Sequence, residues 1–198
     1  MKSNTWNLFP TPVTRFTEVF TAQQLQDINQ YLSTLRSGPH SAIDGDGVSS
    51  HDETTDIIKS ITSSVPGCQD FGDTIQHMLN EYTYTYGLDT VEVTNSWYSV
   101  QRPGSRLVTH LHANSIVSCV IYTQTDSDSS RIYFDNPNKM VAYCNQTSHP
   151  TDYNFEYFYI QPEVGDVLMF PSWLTQGSRS EHNQSQQRTI ISFNARYK

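Results

Sequence analysis

The sequence predicts an α+β protein in which helices come first and an antiparallel β sandwich or barrel follows, with the helices supporting one side. Two observations carry this expectation. Apolar residues recur at three- and four-residue steps as far as Gly87, and from about residue 90 the alternation changes to a period of two. Aromatic residues make up 12% of the chain, with twelve Tyr and nine Phe, which suits strands packed face to face better than a helical bundle. At 198 residues the chain is long enough to bury a core, and residues 1–198 read as a single domain without linker or internal repeat.

The elements follow in order. Thr21-Ala-Gln-Gln24 is a capping box, with Phe20 and Leu25 placed as a hydrophobic staple across it. Behind it Leu25, Ile28, Leu32 and Leu35 form one stripe, and Gly38-Pro39 stops the helix. A second helix includes Ile57, Ile58 and Ile61 and ends before Pro66-Gly67; a third carries Phe71, Ile75, Leu79 and Tyr82 and ends at Gly87. All three stripes read as core. Strands are expected over 91–100, 106–110, 116–123, 131–134, 155–160, 167–170 and 188–195. Turn signals lie between them at Arg102-Pro-Gly104, Thr125–Ser130, Asn136-Pro-Asn138 and Pro162–Gly165. The aperiodic segment Asn138–Asp152 is a candidate mobile loop over a site.

Composition excludes some functions. A net charge of −8 argues against gripping nucleic acid by its phosphates. Cys68, Cys119 and Cys144 are odd in number and lack CxxC spacing, so neither a disulfide framework nor a zinc knuckle is expected. The first residues carry no continuous apolar run and no stretch reaches the length of a membrane span. The expected location is the cytoplasm, and the sequons at Asn145 and Asn183 are then chance matches.

The strongest chemical signal is His110-Leu-His112. Residues two apart on a strand share a face, so both imidazoles can reach one ion, and imidazole suits Fe, Zn, Ni and Cu. His51, His77 and His149 have no partner at ligand spacing, and surface or helix-face roles are expected for them. Asp135, in Phe-Asp-Asn-Pro, reads as a turn-capping carboxylate, and Trp97 and Trp173 as core residues. There is no phosphate-binding Gly-rich loop, no Gly-x-Ser-x-Gly elbow and no zinc-protease helix.

His110-x-His112 is followed by Ser118-x-x-x-Tyr122, Phe134-Asp-Asn-Pro137, Phe170-Pro-Ser-Trp-Leu174 and the Arg188-to-Asn194 strand. With Asn7-Leu-Phe-Pro-Thr-Pro-Val13, Trp97 and Gly104, this series resembles a family of 2-oxoglutarate/Fe(II) oxygenases common in phage and marine bacterial genomes, over nearly the whole chain. The resemblance implies a double-stranded β-helix, or jelly roll, whose open end holds Fe(II) and the co-substrate 2-oxoglutarate. It implies that Arg188 pairs with the distal carboxylate of 2-oxoglutarate through its guanidinium fork, with Ser192 on the same strand face adding a hydroxyl. Tyr98 and Tyr122 are candidates for the pocket lining.

The chain departs from the family pattern at two ligands. Gln176 stands where the family usually has the third iron-binding His, leaving His182 in the same loop as a possible substitute. His112 stands where the commoner oxygenases have Asp or Glu. Gln176 predicts weak retention of iron, or retention of Ni, Cu or Zn in preference to it. Two main functions follow: a dioxygenase hydroxylating a small-molecule or peptidyl substrate, or a jelly-roll binding or structural module whose iron site has lapsed. A non-oxidative zinc protein using the His pair is a third. Neither nucleic acid nor membrane is expected as a partner, the oligomeric state is open, and a phage-encoded chain would act in the host cytoplasm.

Overall fold

A computed structural model describes residues 2–5, 8–53, 55–140, 148–149, 151 and 153–198. Helix α1 spans Ala22–Leu32, and its capping box is formed: Thr21 Oγ1 accepts from the Gln24 amide at 3.2 Å, and Gln24 Oε1 accepts from the Thr21 amide at 3.0 Å. Leu25, Ile28 and Leu32 are buried, and Phe20 lies on the ring of Phe71. The helix ends short of Gly38. The Ser33 and Thr34 hydroxyls bond back to Gln30 and Tyr31 carbonyls, and the Leu35 amide closes a tighter turn on Leu32. Helix α2 (Ile57–Ser64) is capped by Asp56, whose carboxylate also accepts from Ser96 Oγ at 2.6 Å, fixing the helix to the sheet. Helix α3 spans Phe71–Thr85.

The strands are β1 (Thr14–Phe16), β2 (Ile43–Asp44), β3 (Gly47–Ser49), β4 (Val91–Gln101), β5 (Arg106–Leu107), β6 (Val117–Gln124), β7 (Ile132–Asp135), β8 (Tyr157–Ile160), β9 (Val167–Pro171), β10 (Gln176–Gly177) and β11 (Arg188–Tyr197). The large sheet runs β1-β9-β6-β11-β4-β3, a smaller one β10-β7-β8, and β2 pairs with β5; every pairing is antiparallel. Strands β1, β2, β3 and β10 were not expected, because two or three residues carry no readable period. The strand expected over 106–110 contracts to β5, and His110 rejoins a partner only through a single bridge to Gln176.

The period of two sorts the large sheet into two faces. Val117, Cys119, Ile121, Met169, Ile191 and Phe193 pack against Ile28, Ile57, Ile61, Phe71, Ile75 and Leu79 of the helices. Their alternates Val120, Tyr122, Leu168, Phe170 and Ile190 face the small sheet and meet Ile132, Phe134 and Leu174. Strand β6 is therefore buried from Val117 to Thr123, since both of its faces are covered. Cys68 and Cys119 are buried free thiols, whereas Cys144, the Asn145 sequon and most of the segment 138–152 lie outside the described residues. Among the described residues no helix is long and apolar enough to cross a membrane.

Candidate metal and co-substrate site

The site lies on the inner face of the jelly roll, where the loop after β9 meets the segment after β5. Backbone hydrogen bonds align the two. His110 and Gln176 exchange amide and carbonyl bonds of 2.8 Å each, and the His112 amide donates to Ser172 O at 2.9 Å. Gly177 permits this approach: a Cβ there would stand 2.8 Å from Thr109 Cα and 3.1 Å from Leu107 O. Strand β10 also pairs with β7, Gln176 opposite Phe134, which presses it down from the other side.

Gln176, with 2% exposure, projects its amide between the two imidazoles. Its nitrogen is 2.9 Å from His110 Nε2 and 3.3 Å from His112 Nε2, while its Oε1 is buried without a hydrogen-bond partner. His110 Nδ1–H donates to Val108 O at 2.6 Å, which leaves the Nε2 lone pair directed at the amide. Turning the amide by 180° exchanges its oxygen and nitrogen. The orphaned oxygen would then face two imidazole lone pairs, an arrangement that needs a cation between them. Donors bound to one ion at about 2.1 Å and at right angles stand about 3.0 Å apart. The observed spacings match that, so two imidazoles and one amide oxygen fit a divalent ion. Among the described residues no third His, Cys, Asp or Glu joins His110 and His112 within 4.8 Å.

His182 does not reach this group, contrary to the alternative read from the sequence. Its side chain is exposed because its neighbours are pinned. Asn183 exchanges backbone bonds of 2.7 Å with Gly104 and Ser105, and Glu181 takes hydrogen bonds from Arg131 and Tyr133.

Trp97 lies flat on His112 with ring centres 5.9 Å apart, and Phe170 meets the same imidazole at its edge at 6.3 Å. Burial holds the His112 pKa down at about 4, helped by the nearby His110 and partly offset by Asn194; burial lowers His110 as well. Both rings are therefore neutral near pH 7, the form that binds metals. Asn194 is itself fixed by Ser118 Oγ, which bonds to its Oδ1 at 2.9 Å and lies 2.8 Å from Ser172 Oγ.

Deeper in the same interior is Arg188, with 1% exposure. One nitrogen donates to Gln101 Oε1 and another to the Tyr122 hydroxyl at 3.4 Å, and the guanidinium stands 5.1 Å over the Tyr122 ring. Among the described residues no carboxylate pairs with it, and its Nε and the Gln101 Nε2 are buried without partners. A buried cation without a counter-charge costs several kcal/mol. Orphaned donors around one positive group are the complement of a carboxylate. Ser192 faces the same interior, in register with Trp97 and Val120. Burial pushes the Tyr122 hydroxyl pKa up, partly offset by Arg188, so the phenol keeps its proton as a donor.

Other expectations are corrected. Tyr98 lies on the helix side of the sheet, its hydroxyl donating to Leu35 O at 3.0 Å, because residues 97 and 98 must face opposite ways. Asp135 pairs with Arg179 at 2.7 Å and Lys139 at 3.5 Å, and the neighbouring Asn136 supplies the turn cap, accepting from the Asn138 amide at 2.8 Å. Trp173 is 54% exposed, whereas Trp97 is buried in the site. His77 and His149 are exposed, in keeping with the surface roles expected of them. His51 is not a lone surface group: it stacks near His40 and edges onto Trp97. Gln101 and Asn194 were missed, because only strand register brings them here.

Comparison with known proteins bears on the fold and the family. The profile of a family described as "Putative 2OG-Fe(II) oxygenase" matches residues 95–194. No curated protein matches the chain. A Pseudomonas putida prolyl-4-hydroxylase superposes with a TM-score of 0.63 at 11% identity, covering 95% of this chain and 94% of its own. HygX from Streptomyces hygroscopicus, with nickel and 2-oxoglutarate bound, gives 0.59 at 12%, covering 94% and 83%. The viral collagen prolyl hydroxylase of Paramecium Bursaria Chlorella virus-1, in its 2-oxoglutarate complex, gives 0.56 at 12%, covering 94% and 96%. These likenesses establish the double-stranded β-helix fold, and the profile, which spans half the chain, places the protein in the 2OG-Fe(II) oxygenase family.

Proposed function

We propose that the protein is a 2-oxoglutarate- and Fe(II)-dependent dioxygenase that hydroxylates a small-molecule or peptidyl substrate. The observation that carries this reading is Arg188, a fully buried guanidinium with no carboxylate beside it among the described residues. In this reading Arg188, Gln101 and Tyr122 take the distal carboxylate of the keto acid, and Ser192 adds a hydroxyl on the same face. His110, His112 and Gln176 hold the iron. When bound, iron and keto acid together with O₂ supply the oxidising power, 2-oxoglutarate leaving as succinate and CO₂. Trp97 and Phe170 exclude water from the imidazole side, and the Val108 carbonyl and Asn194 orient the two rings. The likeness to two prolyl hydroxylases supports a peptidyl substrate, and the likeness to HygX, also solved with hygromycin B bound, supports a small molecule.

A second reading, a binding module without redox chemistry, is favoured by one observation: the Gln176 amide already bonds to both imidazoles. An anaerobic titration of metal-free protein with Fe(II) and then 2-oxoglutarate separates the two, with Gln176→His in parallel. The dioxygenase reading expects the visible charge-transfer band of the chelated complex in the wild type, more strongly in Gln176→His. A band in Gln176→His alone identifies a lapsed oxygenase. Its absence from both sinks the metal assignment.

A further inference from the structure

We propose that His40, His51 and Asp52 form a second site for a divalent transition-metal ion, separate from the His110–His112–Gln176 pocket. One donor atom from each of the three lies within 4.8 Å of the other two. The set is two imidazoles and one carboxylate, chemistry that suits Zn(II) and its neighbours in the first transition row. It also holds the carboxylate that the His110 site lacks.

The local backbone explains why the three converge. Gly38 and Ser49 form a two-way bridge, with bonds of 2.9 and 2.8 Å, that ties the bases of two short loops together. One loop then turns at His40–Ile43, where the Ile43 amide donates to His40 O at 2.9 Å. The other turns at Ser50–Glu53, where the Glu53 amide donates to Ser50 O at 3.0 Å, and Ser49 Oγ accepts from the His51 amide at 3.1 Å. The two rings end 4.6 Å apart, and His51 rests edge-on against Trp97 at 4.9 Å. Trp97 touches both His51 and His112, so the cluster lies beside the His110 pocket, with its own donor set.

The hydrogen bonds define what binding requires. His51 Nδ1 lies 3.1 Å from Asp52 Oδ1, a hydrogen bond that an ion held by both groups would replace. His40 Nδ1 accepts from the Ala42 amide at 3.2 Å. Binding an ion draws the His40 lone pair away from that amide, which then turns to water in its half-exposed turn. Asp52, with a 79% exposed side chain, is free to rotate the distance that separates a loose cluster from a bound one. Both loops would be joined by the ion, stiffening the segment beside Trp97.

The test is a calorimetric Zn(II) titration of the metal-free full chain, with amide and imidazole resonances followed in parallel. The wild type should show a Zn(II) equivalent that shifts the Ala42 amide and the His40 and His51 rings. His51→Ala should lose that equivalent, and Asp52→Asn should weaken it by about 10–100-fold. Both residues are exposed, so these variants fold. Titrations in which both variants match the wild type, or in which Zn(II) moves only His110 and His112, overturn the site. The Fe(II) and 2-oxoglutarate titration reads the other pocket, so either assignment can fail alone.

Discussion

Among the described residues, the buried Arg188 guanidinium has no counter-charge and is met by Gln101, the Tyr122 hydroxyl and the Tyr122 ring. Taking one partner from a buried charge is normally destabilising, and replacing the charge with an apolar residue of similar volume normally is not. Arg188→Met removes the uncompensated charge but leaves Gln101 Oε1 without its donor, so the ligand-free stability should change by no more than about 1 kcal/mol. 2-Oxoglutarate should raise the melting temperature of the wild type, and Arg188→Met should abolish that rise. Thermal melts with and without the keto acid check both parts. A fall of several degrees in the ligand-free variant would mean that Arg188 holds the sheet together. At this scale His110, His112 and Arg188 were legible as types at spacings. The orphaned oxygen of Gln176 was not, because an unmet hydrogen bond is a property of surroundings.

Strand β10 shows what a two-residue element can do. It has too little length to form by propensity, so its place is fixed by pairing with Phe134 and Tyr133 on one side and by the His110 bridge on the other. Gly177 fits only because it lacks a Cβ, and the atoms that a Cβ would meet are backbone, which yields least. Gly177→Ala should cost about 1–3 kcal/mol by overpacking. It should also weaken metal retention, since moving β10 moves Gln176 away from the imidazoles. Denaturant unfolding and a metal titration measure the two effects; wild-type metal affinity at reduced stability would uncouple β10 from the site. The long elements were readable in advance because they repeat: α1 from its capping box, β6 and β11 from their alternation. The short ones that build the site were not.

Across the whole molecule, burial of imidazoles ties stability to pH. The His112 pKa lies at about 4 in the folded chain against 6.5 in the unfolded one, and that of His110 is lowered too. The unfolded chain then takes up protons first as pH falls, so this stability is whole above about 6.5 and is lost towards 4. Glu181 and Asp126 have lowered carboxyl pKa values, from hydrogen bonds with Tyr133 and Arg131 and with Ser185, and add a further loss at lower pH. Melting temperature should fall steadily from pH 7 to 4.5, and His112→Gln should flatten the upper part of that decline. A rise on acidification would contradict the buried, neutral state of the pair. A bound metal should protect the protein over the same range, since protons and metal compete for the same lone pairs.

The sequence by itself determined which residues share a face, because a period of two or of three to four is a local property of the chain. That was enough for the helical layer and the long strands. The tertiary structure alone decided which distant residues meet. Gln176 faces His110 across 66 positions, and Gln101 meets Arg188 across 87. Those encounters depend on strand order and register, which are set when a whole sheet buries its apolar faces and not by the preferences of any one segment.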